Sequence, residues 1–507
     1  MPPADLATAP VPPGRPAGAA TWRSRLAGLP WPAIALLVLA TATFVGFLVY
    51  PTYPNYDSYY SMLWGREILH GHLPSFDVYR TPTEHPLAIA FGAALSLLGR
   101  GGDRVMVFCT EASFVVLCAG VYRLARRAFT PLVGLAAAGI LCTRFDFPFL
   151  AARAYIDIPY LVFVVWAAAF ELERPRRGGI VWVLLACAGL LRPEAWILIG
   201  LYFLWMASGE LGAASAAQRV RRWTRYAAVA AIGPVVWVAV DFIVTGHPFF
   251  SLQHTSGLAD ELGRTKGLSE VPSAMKRFFY SLAKAPVIYA AIAGFVVALW
   301  LAPRRVVMPT VLWLIGTGTF VLVGIAGLSV IDRYLLVPTL MVMVFAAVSL
   351  AGWTMLREDL IIRKVWAVAA GLIVVYGVVF TATRVNLRVF DSELKLRGDS
   401  HHALVRLLDQ PRVRAALHRC GPLSTPSHKL VPDSRWVLGA GAGGVLARAD
   451  PAARTRIQRG VALYVVDRAA LLRQALVDKS DDVFNDIPMS GFSRLAFNDY
   501  YSVYVRC

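Results

Sequence analysis

The densest run of groups able to do chemistry is Tyr53 to Leu87, Y-P-N-Y-D-S-Y-Y-S-M-L-W-G-R-E-I-L-H-G-H-L-P-S-F-D-V-Y-R-T-P-T-E-H-P-L. It carries Asp57, Arg66, Glu67, Asp77, Arg80, Glu84 and His85 among many tyrosines, directly after a long apolar run. Further along, charged or imidazole groups interrupt apolar stretches at A-R-A-Y-I-D-I-P (Arg153, Asp157), L-L-R-P-E-A-W (Arg192, Glu194), T-G-H-P-F-F-S-L-Q-H (His247, His254) and V-I-D-R-Y (Asp332, Arg333, Tyr334). A carboxylate can take the proton of an attacking hydroxyl, and arginines can hold a leaving phosphate through charge-assisted, bidentate bonds. Charges between apolar helices are costly and usually functional. Each group also has a plainer reading: Asp57 and Asp157 as helix caps, Arg192 with Glu194 as an anchoring ion pair, a single loop histidine as surface chemistry only.

The elements that must position these groups are membrane helices. Of 507 residues, 57% are hydrophobic and 16% charged, and mean hydropathy is +0.56. A soluble domain carries about 25% charged residues. Repeated apolar runs of roughly 18 or more residues predict a polytopic, all-α membrane protein. The net charge of +18 does not indicate nucleic acid, because the arginines cluster in short loops, as positive-inside topology requires. Residues 1–30, rich in Pro, Ala and Gly, are expected to be a disordered cytoplasmic tail.

About eleven spans within 31–385 satisfy the charge rule, starting with Trp31 to Tyr50. The outer loop 51–104 contains an amphipathic helix (Asp57 to His70) and an interfacial helix from Pro86. Counting the latter as a span would put Arg123, Arg126 and Arg127 outside. With this parity every Arg-rich loop is cytoplasmic, and every loop mixing Asp, Glu, His, Arg and Tyr is extracytoplasmic. Residues 386–507 have soluble composition and predict a small extracytoplasmic α/β domain, with a helix over His401 to Leu417 and strands at V-A-L-Y-V-V and Y-Y-S-V-Y-V-R-C. Cys109, Cys118, Cys142 and Cys187 lie in apolar helices, where packing is their default role. Cys420 and Cys507 can pair if their domain faces an oxidising compartment.

The acidic residue after the first span, the amphipathic helix, the Gly/Pro break and Glu84-His85-Pro86-Leu87 resemble the first outer loop of GT-C membrane glycosyltransferases that use polyprenyl-phosphate sugars. The protein O-mannosyltransferases and the lipid A aminoarabinose transferase are examples. The resemblance covers about the first 350 residues and leaves the C-terminal domain without a counterpart. It implies that Asp57 is the general base of a single inverting displacement. It also implies a substrate- and phosphate-binding set of Asp157, Arg192, Glu194, His254, Arg333, Tyr334 and Tyr60. Glu84 and His85 are candidate ligands of a divalent metal, although His85 stands where relatives often carry a first proline. Relatives with Asp-Glu after the first span have a second carboxylate where this chain has Ser58. The implied partners are a polyprenyl-phosphate sugar, membrane lipid and a glycan, lipid or protein acceptor. No Gly-rich phosphate loop, Walker lysine, C-x-x-C or H-E-x-x-H motif points to a nucleotide-sugar donor. The competing classes are a transporter or flippase of lipid-linked sugars, which should show polar groups at mid-membrane on broken, repeated helices, and a non-catalytic envelope-assembly subunit.

Overall fold

The structure, a computed structural model, describes residues 30–212, 215–384, 387–475, 483–486 and 488–507. The tail expected to be disordered therefore lies outside the described residues, apart from Pro30.

All eleven predicted segments are helical. Five are long and apolar enough to cross a bilayer: Trp31–Val49, Gly99–Ala128, Val307–Ile325, Asp332–Met355 and Ile361–Val379. Three bent pairs also qualify if each is one span: Pro131–Cys142 with Asp146–Ala152, Ala216–Ala230 with Ile232–Thr245, and Leu268–Leu282 with Ala285–Leu301. The other three, Asp157–Glu173, Gly179–Leu191 and Ala195–Ser208, have 17, 13 and 14 residues, short of the roughly 20 an unassisted span needs. By length and composition, then, five helices, or eight spans if each bent pair is one, are long enough unaided among the described residues, where about eleven spans were expected. The shortening has a local cause: Asp157 and the Arg192–Glu194 step cut polar breaks into otherwise apolar runs.

The helix Leu336–Ala351 is the buried axis of the bundle, with almost every side chain shielded. Its neighbour Ala285–Leu301 approaches so closely that a Cβ on Gly294 would collide with the Phe345 carbonyl. Loops predicted to share the Arg-rich face do meet. Arg123 pairs with Glu173 at 2.6 Å, and Thr130 bonds Thr354 at 2.6 Å.

On the opposite face the first-loop helix Tyr56–Leu69 packs across the interfacial helix Pro86–Ser96. Gly65 and Gly92 make the crossing possible, because a Cβ on either would strike the other helix's backbone. The first-loop helix is capped by Asn55, whose side chain accepts from the Ser58 amide at 3.0 Å. Asp57 is therefore not the cap, and its carboxylate is left for other work.

The C-terminal domain holds a five-stranded mixed sheet in the order β2-β1-β3-β5-β4. Its strands are β1 (Leu423–Thr425), β2 (Val445–Ala447), β3 (Gly460–Val465), β4 (Ser493–Phe497) and β5 (Tyr501–Arg506). β1 runs parallel to β2 and β3, and β5 runs antiparallel to β3 and β4. Both predicted strands are present, as β3 and β5. The predicted helix over His401 to Leu417 is instead two, Leu387–Leu408 and Pro411–Cys420, broken where Pro411 cannot donate a backbone hydrogen bond. Cys420 and Cys507 form a disulfide with Cα atoms 4.5 Å apart. The domain docks on the first loop. Arg435, wholly buried, pairs with Glu67 at 2.5 Å, Arg66 donates to the Ala440 carbonyl at 2.9 Å, Arg100 grips Asp409 through two bonds of 3.1 and 2.9 Å, and His401 stacks on Tyr53 at 4.3 Å.

Candidate active site

Four separate polar steps of the sequence converge beneath the docked domain. Asp57 is held at the start of the first-loop helix. Asp157 opens the helix Asp157–Glu173, after Ala154 turns the chain with a left-handed φ of 53°. Arg192 and Glu194 occupy the break between Gly179–Leu191 and Ala195–Ser208. Arg333 sits in the short turn Asp332–Leu335 that leads into the axial helix.

Arg333 Nη1 bridges the two aspartates, at 3.2 Å from Asp57 Oδ2 and 3.3 Å from Asp157 Oδ2. Arg192 pairs with the other oxygen of Asp157 and with Glu194 at 2.8 Å. The Arg192 guanidinium also lies 5.2 Å from the Tyr334 ring centroid. Asp157 is fully enclosed, while Asp57 faces a cavity of about 370 Å³. Burial pushes the Asp57 carboxyl up, but Arg333, with Lys429, outweighs it and holds the group below its ordinary value. Asp57 is therefore an ionised carboxylate at the cavity wall.

Of the other predicted residues, Tyr334 and His85 line the same cavity. Burial, reinforced by Arg192 and Arg333, lowers His85 to about 4, so it faces the site as a neutral imidazole. Three do not line it. Tyr60 is buried in an aromatic cluster with Tyr56 and Trp64, where it packs the first-loop helix and has no access to the cavity. His254 bonds the Thr81 carbonyl at 3.0 Å and stacks on Phe250, tying two loops together. Glu84 is buried behind the wall, 1% exposed. Among the described residues neither of its carboxyl oxygens makes a hydrogen bond of normal geometry, and the neighbouring Ser251 hydroxyl is taken by Asp241 at 2.6 Å.

These positions also bear on a divalent metal. His85 turns its ring edge-on to Trp237 while Glu84 lies beside Ser251 and Asp241. Among the described residues no group of three or more His, Cys, Asp or Glu side chains gathers to hold a cation. Asp57 and Asp157 are spanned by a guanidinium. Among the described residues, the side chains at this site do not fit a resident divalent ion.

Sequence reasoning missed Arg264, His428 and Lys429, which line the cavity facing Asp57. Arg264 follows a helix in a loop without a motif. His428 and Lys429 come from the C-terminal domain, and no local signal tells that S-H-K-L lies against the membrane bundle.

The cavity narrows to a neck lined by Tyr160, Arg192, Leu198, Ile315, Arg333 and Tyr334. Leu198 and Ile315 also wall a second cavity of about 350 Å³, whose lining includes Val164, Ala168, Leu185, Leu201 and Leu312. The charged cluster thus stands at the head of an almost wholly apolar recess between membrane helices. An anion on an apolar chain fits such a shape.

No protein-family model matches this sequence, and no curated protein sequence matches it. Solved structures do share its architecture. ArnT from Cupriavidus metallidurans, in the apo state, superposes with a TM-score of 0.53 at 13% identity, covering 93% of this chain and 98% of that one. The Archaeoglobus fulgidus oligosaccharyltransferase, in the apo form, superposes with a TM-score of 0.52 at 12% identity, covering 88% of this chain and 70% of that one. At such identities the likeness is one of fold, and it extends through the C-terminal domain: the chain has the GT-C fold.

Proposed function

We propose that this protein is an integral-membrane glycosyltransferase that moves a sugar from a polyprenyl-phosphate carrier to an extracytoplasmic acceptor. The observation that carries the reading is the Asp57–Arg333–Asp157–Arg192 network, placed where a polar cavity meets an apolar recess. The fold neighbours agree with it, since ArnT is the lipid A aminoarabinose transferase and the archaeal protein an oligosaccharyltransferase.

In this mechanism the acceptor hydroxyl oxygen attacks the anomeric carbon from the Asp57 side. The bond from that carbon to the phosphate oxygen breaks, its electron pair leaves with polyprenyl phosphate, and the acceptor proton passes to Asp57. A carboxylate with a low pKa is a weak base, but it suffices late in a displacement, when the attacking oxygen has become acidic. Arg333 has two roles in sequence. In the resting site it holds Asp57 in place, and with donor bound it shares its charge with the leaving phosphate. Sharing that charge loosens its hold on Asp57 and makes the carboxylate more basic when the proton arrives. Asp157 keeps Arg333 and Arg192 oriented throughout. A single displacement inverts the anomeric centre.

The same reading places the N-terminus in the cytoplasm and the C-terminal domain outside, consistent with the pairing of Arg-rich loops on the face away from Asp57.

The test uses the full chain in lipid nanodiscs with a panel of polyprenyl-phosphate sugars and envelope acceptors. The expected outcome is release of polyprenyl phosphate coupled to an inverted glycoside product. Donor binding without product across the panel would sink the catalytic reading, and a retained anomeric configuration would sink the single displacement.

A further inference from the structure

Within the cavity the charges are not evenly matched. Arg333 and Arg192 are already committed, shared among Asp57, Asp157 and Glu194. Arg80 pairs with Glu261 at 3.3 Å. Arg264 and Lys429 differ: among the described residues neither side chain has a hydrogen bond or an ion pair, and Asp57 acts on both only at longer range. They also repel each other and Arg333. The Lys429 ammonium lies 4.9 Å from the Tyr56 ring centroid, which steadies a cation without neutralising it.

Lys429 is placed with care. It belongs to the one-turn helix His428–Leu430, capped by Ser427, whose side chain accepts from the Lys429 amide at 3.3 Å. His428, 2% exposed, wedges edge-on between Tyr56 and Tyr79 of the first loop. Burial lowers the Lys429 pKa, with Arg264 and Arg333 adding to it, so the chain bears a cost to keep an ammonium there. A lysine that served only to dock the domain would meet a carboxylate or a carbonyl, as Arg66, Arg100 and Arg435 do. This one meets open cavity.

We propose that Lys429 is a substrate-binding residue delivered by the C-terminal domain, closing with Arg264 on a phosphate-type oxyanion beside Asp57. The proposal rests on the glycosyl-transfer reading and adds that the domain, which the first-loop resemblance does not cover, completes the site. The oxyanion has two possible sources, the carrier phosphate of the donor or an anionic group of the acceptor. The shared chemistry is a multiply charged oxygen cluster that neutralises two cations otherwise left to repel each other.

The test compares wild type, Lys429→Ala and Lys429→Arg as full-length protein in nanodiscs. Thermal melting comes first. Among the described residues Lys429 has no hydrogen bond or ion pair to lose, and relief of its repulsion with Arg264 offsets the lost contact with the Tyr56 ring, so the alanine variant should melt close to or above the wild-type Tm without ligand; a marked fall would show a structural role and overturn the proposal. Polyprenyl phosphate binding and the KM values for donor and acceptor then separate the sources. Losing a charged contact should weaken the affected step about 10- to 100-fold, with arginine recovering much of it. Weakened polyprenyl phosphate binding assigns the carrier phosphate. A raised acceptor KM with unchanged polyprenyl phosphate binding assigns an acceptor anion. If a stably folded alanine variant binds and turns over within twofold of wild type, Lys429 is not a ligand, although the glycosyltransferase reading stands. If wild type itself does not prefer polyprenyl phosphate to the neutral polyprenol, the parent reading fails.

Discussion

Asp57 and Arg333 hold each other in check, and much of the expected chemistry follows from that one contact of 3.2 Å. Burial favours the protonated form of Asp57, and Arg333 is the strongest single force against it. Arg333→Gln should therefore raise the Asp57 pKa and move the acid limb of the pH–rate profile to higher pH, besides lowering kcat/KM. An acid limb that stays put would mean that another group sets it. Glu84 offers an independent check. Burial, with Asp241 nearby, raises it to about 7, whereas an unfolded chain loses that proton near pH 4.3. The folded form thus binds more protons between those values, so stability falls as pH rises across the window and levels off above it. Glu84→Gln should match the wild-type Tm at about pH 4 and exceed it at about pH 8; equal curves throughout would show that the carboxyl is not held protonated. At this scale the sequence was informative where a charge interrupts an apolar run, as at Asp157, Arg192 and Arg333. It was poor where the signal was only a residue type, as with Tyr60 and His254, because nothing local says which way a loop tyrosine or histidine turns.

The crossing of Tyr56–Leu69 with Pro86–Ser96 carries Asp57 and His85 on one rigid unit, and its closeness depends on two glycines. Gly92→Ala should cost about 1–3 kcal/mol through overpacking, seen as a lower Tm and a larger proportional loss of activity as Asp57 shifts. A variant as stable and active as wild type would show that the helices can part without disturbing the site. Helix positions were legible because apolar length alone specifies them, and Asn55, one of several polar residues before that helix, took the cap that Asp57 could have filled. What length could not reveal is that the three helices nearest the site are short and that three others bend. Those departures come from polar breaks and prolines acting together with neighbours distant in sequence.

Across the whole molecule the polar first loop has two jobs that its sequence does not separate. Asp57 and His85 face the cavity, whereas Arg66 and Glu67 hold the C-terminal domain. Glu67→Ala would leave Arg435, 0% exposed, as an uncompensated buried charge. Breaking such a pair costs about 3–5 kcal/mol, and limited proteolysis should find the domain loosened. Unchanged protease resistance would mean that the remaining contacts hold it alone. The C-terminal contribution to the site was invisible for a related reason: the docking that brings His428 and Lys429 to Tyr56 is a property of two surfaces, and neither announces the other. The proposed glycosyl transfer needs Asp57 as its base. Its most direct test is release of polyprenyl phosphate from a labelled polyprenyl-phosphate sugar by purified wild type and Asp57→Asn in lipid, with binding of polyprenyl phosphate measured for both. The expected result is comparable binding, with release slowed by about 10²- to 10⁴-fold in the variant. Equal release by the two proteins would contradict it.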